Sequence, residues 1–136
     1  MGKPLKLILN THIFIYYMNG SKMPTRIKVA IENAKEVLLS TITSWEIFML
    51  AKHGHITLSL PPIQWYDSAI AESGFKEIPI SSKISNIAVN LKWDHKDPAD
   101  RWIVATAISE GATLVTLDRK ILAFKKVKAL SLKKDK

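Results

Sequence analysis

The chain has no cysteine among its 136 residues, which excludes disulfides and thiolate metal ligands. No run approaches the roughly 20 apolar residues that span a bilayer, so no membrane segment is expected. Lys3 and Lys6 precede no long apolar stretch and no small-residue cleavage site, so no secretion signal is expected either. A cytoplasmic setting fits these absences. There is no Gly-rich phosphate loop with its lysine and no Gly-x-Ser-x-Gly elbow, which argues against P-loop, dinucleotide and serine-hydrolase chemistry. His53-Gly54-His55 lacks a third nitrogen or sulfur ligand at zinc spacing and reads as a surface turn. Without repeats, low-complexity segments or a linker, residues 1–136 read as a single domain, with about 133–136 a frayed basic tail.

What is present is a positive balance. Twenty Lys+Arg against twelve Asp+Glu give a formal charge of +8, which suits a polyanionic partner such as RNA. Lys125, Lys126, Lys128, Lys133, Lys134 and Lys136 concentrate the excess at the C-terminus. An ordinary solvated face explains that tail as well as an RNA-facing patch does.

Strands and helices alternate along the chain. Residues 5–9 form a compact apolar run suited to a strand buried on both faces. Thr11 is positioned to cap an aromatic helix, Ile13 to Met18, that Asn19-Gly20 ends. Pro24 suits the first turn of a helix reaching about Ala34, and residues 37–41 read as a second strand. Thr43-Ser44-Trp45-Glu46 opens a helix stopped by Gly54, and a further helix carries Ile63 to Ile70. A third strand is expected over Phe75 to Ile80, then a helix capped by Ser81 or Ser82 with Ile84, Ile87, Ala88 and Leu91 on one face. After the polar loop Trp93 to Lys96 come a helix over Ala99 to Glu110, a strand over Ala112 to Leu117, a helix over Arg119 to Phe124, and a last strand over Val127 to Leu132. The alternation implies an α/β fold with a mostly parallel sheet covered on both faces, and such sheets bind ligands beyond their carboxyl ends.

Acids or their amides stand at those ends. Asn10 follows the first strand, Glu46 lies within a turn of the second, Asp97 and Asp100 open a helix, and Asp118 follows the strand Leu114 to Leu117. Gathered at one edge, these groups repel unless a divalent cation sits among them. Each also has a plainer role. Thr43-x-x-Glu46 matches a capping box, Asp97-Pro98 is common helix-start punctuation, and Asp100 suits the positive end of a helix dipole. Asp118 can simply start a turn, and Thr116 can hold water or satisfy backbone. Arg101 can pair with a carboxylate or contact phosphate. His12 and His95 lie near the same edge, where substrate contact competes with an ordinary loop role. Ile13 to Met18, with Trp45, Phe48 and Met49, carry more apolar surface than one buried face requires, which leaves room for a partner groove.

Taken in order, Leu-Ile-Leu-Asn10-Thr-His, Ser44-Trp-Glu46-Ile, His95-Lys-Asp97-Pro-Ala-Asp100-Arg101 and Leu114-Val-Thr-Leu-Asp118-Arg119 resemble the motifs of PIN-domain ribonucleases, particularly toxins of the VapC type. The similarity spans nearly the whole chain. It implies a three-layer α/β/α PIN-like domain whose mostly parallel central sheet has four to five strands. It also implies an Mg²⁺-dependent endoribonuclease, with Mn²⁺ as a substitute, that works as a homodimer and is blocked by an antitoxin. Carried over by position, the catalytic and metal-binding quartet is Asn10, Glu46, Asp100 and Asp118, supported by Asp97, Thr116 and Arg101.

Asn10 departs from the family's usual Leu-Leu-Asp-Thr-His. It keeps the shape of aspartate, removes a full charge, and offers a hard cation a weaker ligand. Weakened or absent cleavage is therefore expected, and the rival reading is a degenerate, non-catalytic PIN-fold module that binds RNA or protein. A receiver-like phosphotransfer domain needs paired acids after the first strand, which Lys3-Pro-Leu-Lys-Leu does not supply.

Overall fold

A computed structural model of the chain describes residues 5–124, 126–127 and 129–131. The expected tail at 133–136 lies outside these residues, as do Lys125, Lys128, Lys133, Lys134 and Lys136; Lys126 is described and exposed.

Five strands, β1 (Lys6–Leu9), β2 (Glu36–Ser40), β3 (Lys76–Ile78), β4 (Thr113–Thr116) and β5 (Ala129–Ser131), pair in parallel in the order β3-β2-β1-β4-β5. Alternate residues face opposite sides of the sheet, so β1, β2 and β4 each feed two cores. Leu7, Leu9, Leu39 and Val115 join one core, built with Phe14, Ile27, Ile47 and Trp65. Ile8, Leu38 and Leu114 join the other, built with Ile84, Ile103, Val104 and Ile121. Helices α1 (Thr11–Met18), α2 (Thr25–Asn33) and α4 (Pro62–Ser73) supply the first layer; α5 (Ser82–Asn90), α6 (Pro98–Glu110) and α7 (Arg119–Ala123) supply the second. Helix α3 (Thr41–Lys52) sends Ile47 to the first core and Ile42 to the second. This is the three-layer α/β/α arrangement read from the alternation. The order reverses between β1 and β4, and such a switch point leaves a crevice at the strand ends.

Several expected boundaries move. Asn10, with extended backbone and a side-chain oxygen accepting the Thr11 N–H at 2.7 Å, is the N-cap of α1; Thr11 is its first helical residue. Ser40 caps α3 by accepting the Ile42 N–H at 3.2 Å, so the helix leaves β2 directly at Thr41. That earlier start puts Glu46 beyond the first turn and removes the capping box expected at Thr43. β3 is shorter than the 75–80 read from sequence. The Thr41 hydroxyl donates to Ile78 O at 3.2 Å and accepts the Ile80 N–H at 3.1 Å, which draws the chain off the ladder where β2 itself ends. Much of the surplus apolar surface of α1 is used in packing. Ile13, Phe14 and Ile15 are buried, and the Phe14 ring meets Trp65 and Tyr66 edge-on at 5.9 and 6.2 Å. Trp45 stays 55% exposed.

Candidate active site

The crevice beyond β1 and β4 opens into a cavity of about 330 Å³ lined by Asn10, His12, Glu46, Asp100, Thr116 and Asp118, with Asp97 on the same wall. Every expected site residue except Arg101 faces this one space.

Each side chain is fixed by the local fold. The Asn10 N–H donates to Val115 O at 2.9 Å, carrying the β1–β4 ladder one residue past the strand. Its amide nitrogen donates to Thr116 Oγ1 at 2.9 Å, and that hydroxyl also accepts the Asp118 N–H at 3.0 Å. Thr116 therefore satisfies backbone and ties the two strand ends together. Asp118 is the N-cap of α7: Oδ1 accepts from Lys120 N at 2.7 Å and Ile121 N at 3.3 Å. Asp97 caps α6 through Oδ1, which accepts the Ala99 N–H at 3.0 Å. In both residues one oxygen closes a helix and the other remains for the cavity, so the capping and binding readings of the sequence are compatible. Glu46 Oε1 accepts from the buried Thr11 hydroxyl, which lies 3.3 Å from the buried Thr43 hydroxyl. The residue expected to cap Glu46's helix thus helps to hold the group that aims it.

Among the described residues Arg101 is not paired with a carboxylate. Its guanidinium donates to four backbone carbonyls, Ala88 at 3.1 Å, Leu91 at 2.8 Å, Trp93 at 2.7 Å and His95 at 3.0 Å. It is a clamp on the loop between α5 and α6, and it contacts the end of α5 through Ala88. The loop so held delivers His95, the residue that sequence reasoning undervalued. His95 Nε2 lies 2.6 Å from Asp100 Oδ2 and 4.0 Å from Asp118 Oδ2. Its ring meets Trp93 edge-on at 4.9 Å, and Trp93 stacks on Phe124 at 4.7 Å. Among the described residues, donor atoms of His95, Asp97 and Asp100 all fall within 4.8 Å of one another. Glu46 and Asp118 line the same cavity outside that tight group. No helical spacing links residue 95 to the acids, so only its position in the loop before Asp97 could have signalled it.

The electrostatics reflect crowding. Burial pushes the Asp100 carboxyl above its usual value; the His95 hydrogen bond and charge oppose this, and Asp97 and Asp118 add to it. Burial likewise raises Glu46, the Thr11 hydroxyl opposes, and Asp100 and Asp97 push further. A raised native pKa means the folded chain holds a proton that the unfolded chain has already lost. The contribution of Glu46 to stability therefore falls as pH rises from about 4.3 through its raised value. Without divalent ions, the melting temperature of wild type relative to Glu46→Gln is expected to decline across that window and then level off. A difference that stays flat, or grows with pH, would contradict this account.

The donor chemistry suits a divalent cation. Carboxylate oxygens from Asp97, Asp100, Asp118 and Glu46 converge where their mutual repulsion is already felt, and hard cations take such oxygens.

The family model described as PIN domain matches residues 7–130. Ribonuclease VapC22 of Mycobacterium tuberculosis (strain ATCC 25618 / H37Rv) is 33% identical over 120 residues, covering 85% of this chain and 88% of the relative. Among solved structures, VapBC2 from Rickettsia felis bound to a DNA fragment from its promoter superposes with a TM-score of 0.69 at 18% identity, covering 93% of this chain and 98% of that one. DNA-bound VapBC from Salmonella typhimurium gives a TM-score of 0.70 at 19% identity, covering 94% of this chain and 98% of that one.

Proposed function

This chain belongs to the PIN-domain family and, within it, to the VapC-type ribonucleases, and on that premise we propose that it is a divalent-cation-dependent endoribonuclease, weakened by Asn10, that acts as the toxin of a toxin–antitoxin pair. The single observation that carries this reading is the convergence of Asn10, Glu46, Asp97, Asp100 and Asp118, drawn from four separate stretches of chain, on one cavity.

In this mechanism Asp100 and Asp118 would hold the cation, Asp118 with the oxygen that helix capping leaves free, and Asp97 would support them. A bound cation supplies a Lewis acid for the phosphate and makes a nearby water more acidic. Glu46 keeps Oε1 on the Thr11 hydroxyl and offers Oε2 to the proton of the attacking water. Burial raises its proton affinity, the direction that a proton acceptor requires. Thr116 keeps the side chain of residue 10 facing the site. The exposed Arg119 and Lys120, directly after Asp118, together with the overall charge of +8, favour approach of a polyanion.

The neighbouring VapBC structures support an antitoxin partner. An apolar cavity of about 640 Å³, lined by Ile42, Trp45, Ile80, Pro98 and Trp102, shares Glu46 and Asp97 with the acidic site, which gives an antitoxin segment a bed beside the chemistry. We further propose a homodimer and a cytoplasmic location; among the described residues no helix is long and apolar enough to cross a membrane.

The test is cleavage of labelled single-stranded RNA by wild type and Asn10→Asp, with Mg²⁺ or Mn²⁺, with EDTA, and with an added cognate antitoxin, while light scattering reports the mass. Cation-dependent cleavage by a dimer, blocked by the antitoxin, is expected. Intact RNA with both forms at saturating cation would overturn the nuclease reading. It would favour the second one, a non-catalytic RNA- or protein-binding module, for which Asn10 is the specific observation.

A further inference from the structure

We propose that His95 is a ligand of the active-site cation and that its nitrogen makes this site select Mn²⁺ over Mg²⁺. The inference rests on the cation-dependent reading above and goes beyond it in naming an unassigned ligand and the class of ion it prefers.

The separations fit a shared ion. Two donors about 2.1 Å from one six-coordinate cation stand roughly 3.0 Å apart when adjacent and about 4.2 Å apart when opposite. His95 Nε2 stands 2.6 Å from Asp100 Oδ2 and 4.0 Å from Asp118 Oδ2. An ion entering between them needs to part the closer pair by only a few tenths of an ångström. The Asp97 carboxylate lies within the same 4.8 Å group.

The ring is also held for this use. Arg101 fixes the carbonyls of Trp93 and His95, and the Trp93 indole, stacked on Phe124, meets the imidazole edge-on. A ligand whose backbone and ring are fixed by outer contacts loses little freedom when the ion arrives. Residue 10, meanwhile, supplies little. The Asn10 oxygen accepts the Thr11 N–H and its nitrogen points at Thr116, so an uncharged, already engaged amide stands where a carboxylate would otherwise add a hard oxygen. The site thereby trades an oxygen anion for an imidazole nitrogen.

That trade has a direction. Mg²⁺ keeps oxygen ligands and sheds its waters reluctantly, whereas first-row transition ions accept imidazole. Mn²⁺ combines tolerance of nitrogen with the carboxylate preference of Mg²⁺, which matches this mixed donor set.

The experiment measures ion binding without RNA. Free Mn²⁺ is followed by its aqueous EPR signal during titration of wild type, His95→Gln and Asn10→Asp, with Mg²⁺ as competitor. Pulsed EPR of the Mn²⁺-loaded wild-type chain, prepared with natural-abundance or ¹⁵N-labelled histidine, reads nitrogen coordination directly. Wild type is expected to bind Mn²⁺ at least about tenfold more tightly than Mg²⁺, and His95→Gln to lose about tenfold in Mn²⁺ affinity with little change for Mg²⁺. A ¹⁴N modulation that changes on ¹⁵N-histidine labelling is expected in wild type and should vanish in His95→Gln. Mn²⁺ bound without histidine modulation, or an unchanged Mn²⁺/Mg²⁺ ratio in His95→Gln, would overturn the proposal and leave the cation reading standing. Failure of both wild type and Asn10→Asp to bind either ion would bring down the two together.

Discussion

Replacing Asn10 by Asp is expected to raise Mg²⁺ affinity by about 10- to 100-fold and the rate of RNA cleavage at limiting Mg²⁺ by at least as much. The backbone at this position is held by the hydrogen bond from Asn10 N–H to Val115 O at 2.9 Å, so the new carboxylate arrives where the amide stood. One oxygen keeps the Thr11 N–H. The other faces the Thr116 hydroxyl, which reverses from acceptor to donor toward residue 10 while still accepting the Asp118 N–H. No contact has to be given up. The added charge interacts with a divalent cation by several kcal/mol at about 4 Å and an effective dielectric near 20, a gain offset in part by repulsion from Asp100 and Glu46. The same repulsion predicts a sign change in stability. With EDTA the variant should melt below wild type, and with millimolar Mg²⁺ it should melt above it. Calorimetric Mg²⁺ titration, melting curves and cleavage of labelled RNA check all three. Equal behaviour of the two proteins would remove residue 10 from the mechanism.

Loss of Arg101 is expected to be the most damaging single change near the site to the fold itself. Its guanidinium donates four hydrogen bonds to carbonyls of residues 88, 91, 93 and 95. Hydrogen bonds that involve a charged group contribute a net of about 1.5–3 kcal/mol each. Some of the freed carbonyls will find water, because the loop is only partly buried. A net destabilisation of about 3 kcal/mol follows for Arg101→Ala, or roughly 10 °C in melting temperature for a domain of this size. Lysine offers a single point charge and cannot span the four acceptors, so Arg101→Lys should rescue little of the loss. Because the clamp also places His95, Mn²⁺ binding should weaken in any Arg101 variant that stays folded. Thermal denaturation together with Mn²⁺ titration reads both effects. An Arg101→Lys protein as stable as wild type would show that the charge, and not the fork of donors, is what the loop needs.

The layers of the fold were legible because burial writes itself into sequence. Leu7-Ile8-Leu9 and Leu114-Val115 alternate between two cores, and a strand covered on both faces must be apolar throughout. Pro98 and the glycines at 74 and 111, which adopt left-handed backbone at helix ends, marked boundaries by local chemistry. The capping box at Thr43 misled because the pattern Thr-x-x-Glu cannot report where the preceding strand stops. Ser40, read as mid-strand, caps the helix, and the turn begins three residues sooner. The contacts of Arg101 and His95 were not legible, for a different reason. Arg101 bonds to loop carbonyls, and His95 lies against Asp100, five residues on, and 4.0 Å from Asp118 beyond β4; no regular helix or strand spacing records contacts made through an irregular loop.

Asn10, Asp97 and Asp118 are the N-caps of α1, α6 and α7. For closing a helix, asparagine and aspartate serve almost equally well. The helix caps are thus indifferent to whether these three positions carry charge, while the cation binding proposed for the cavity they share depends on it. Shape and catalytic strength are uncoupled at these boundaries. A lineage built on this plan can drift from a potent enzyme to a silent one, and back, through exchanges of an amide for an acid that leave the outline of the molecule untouched.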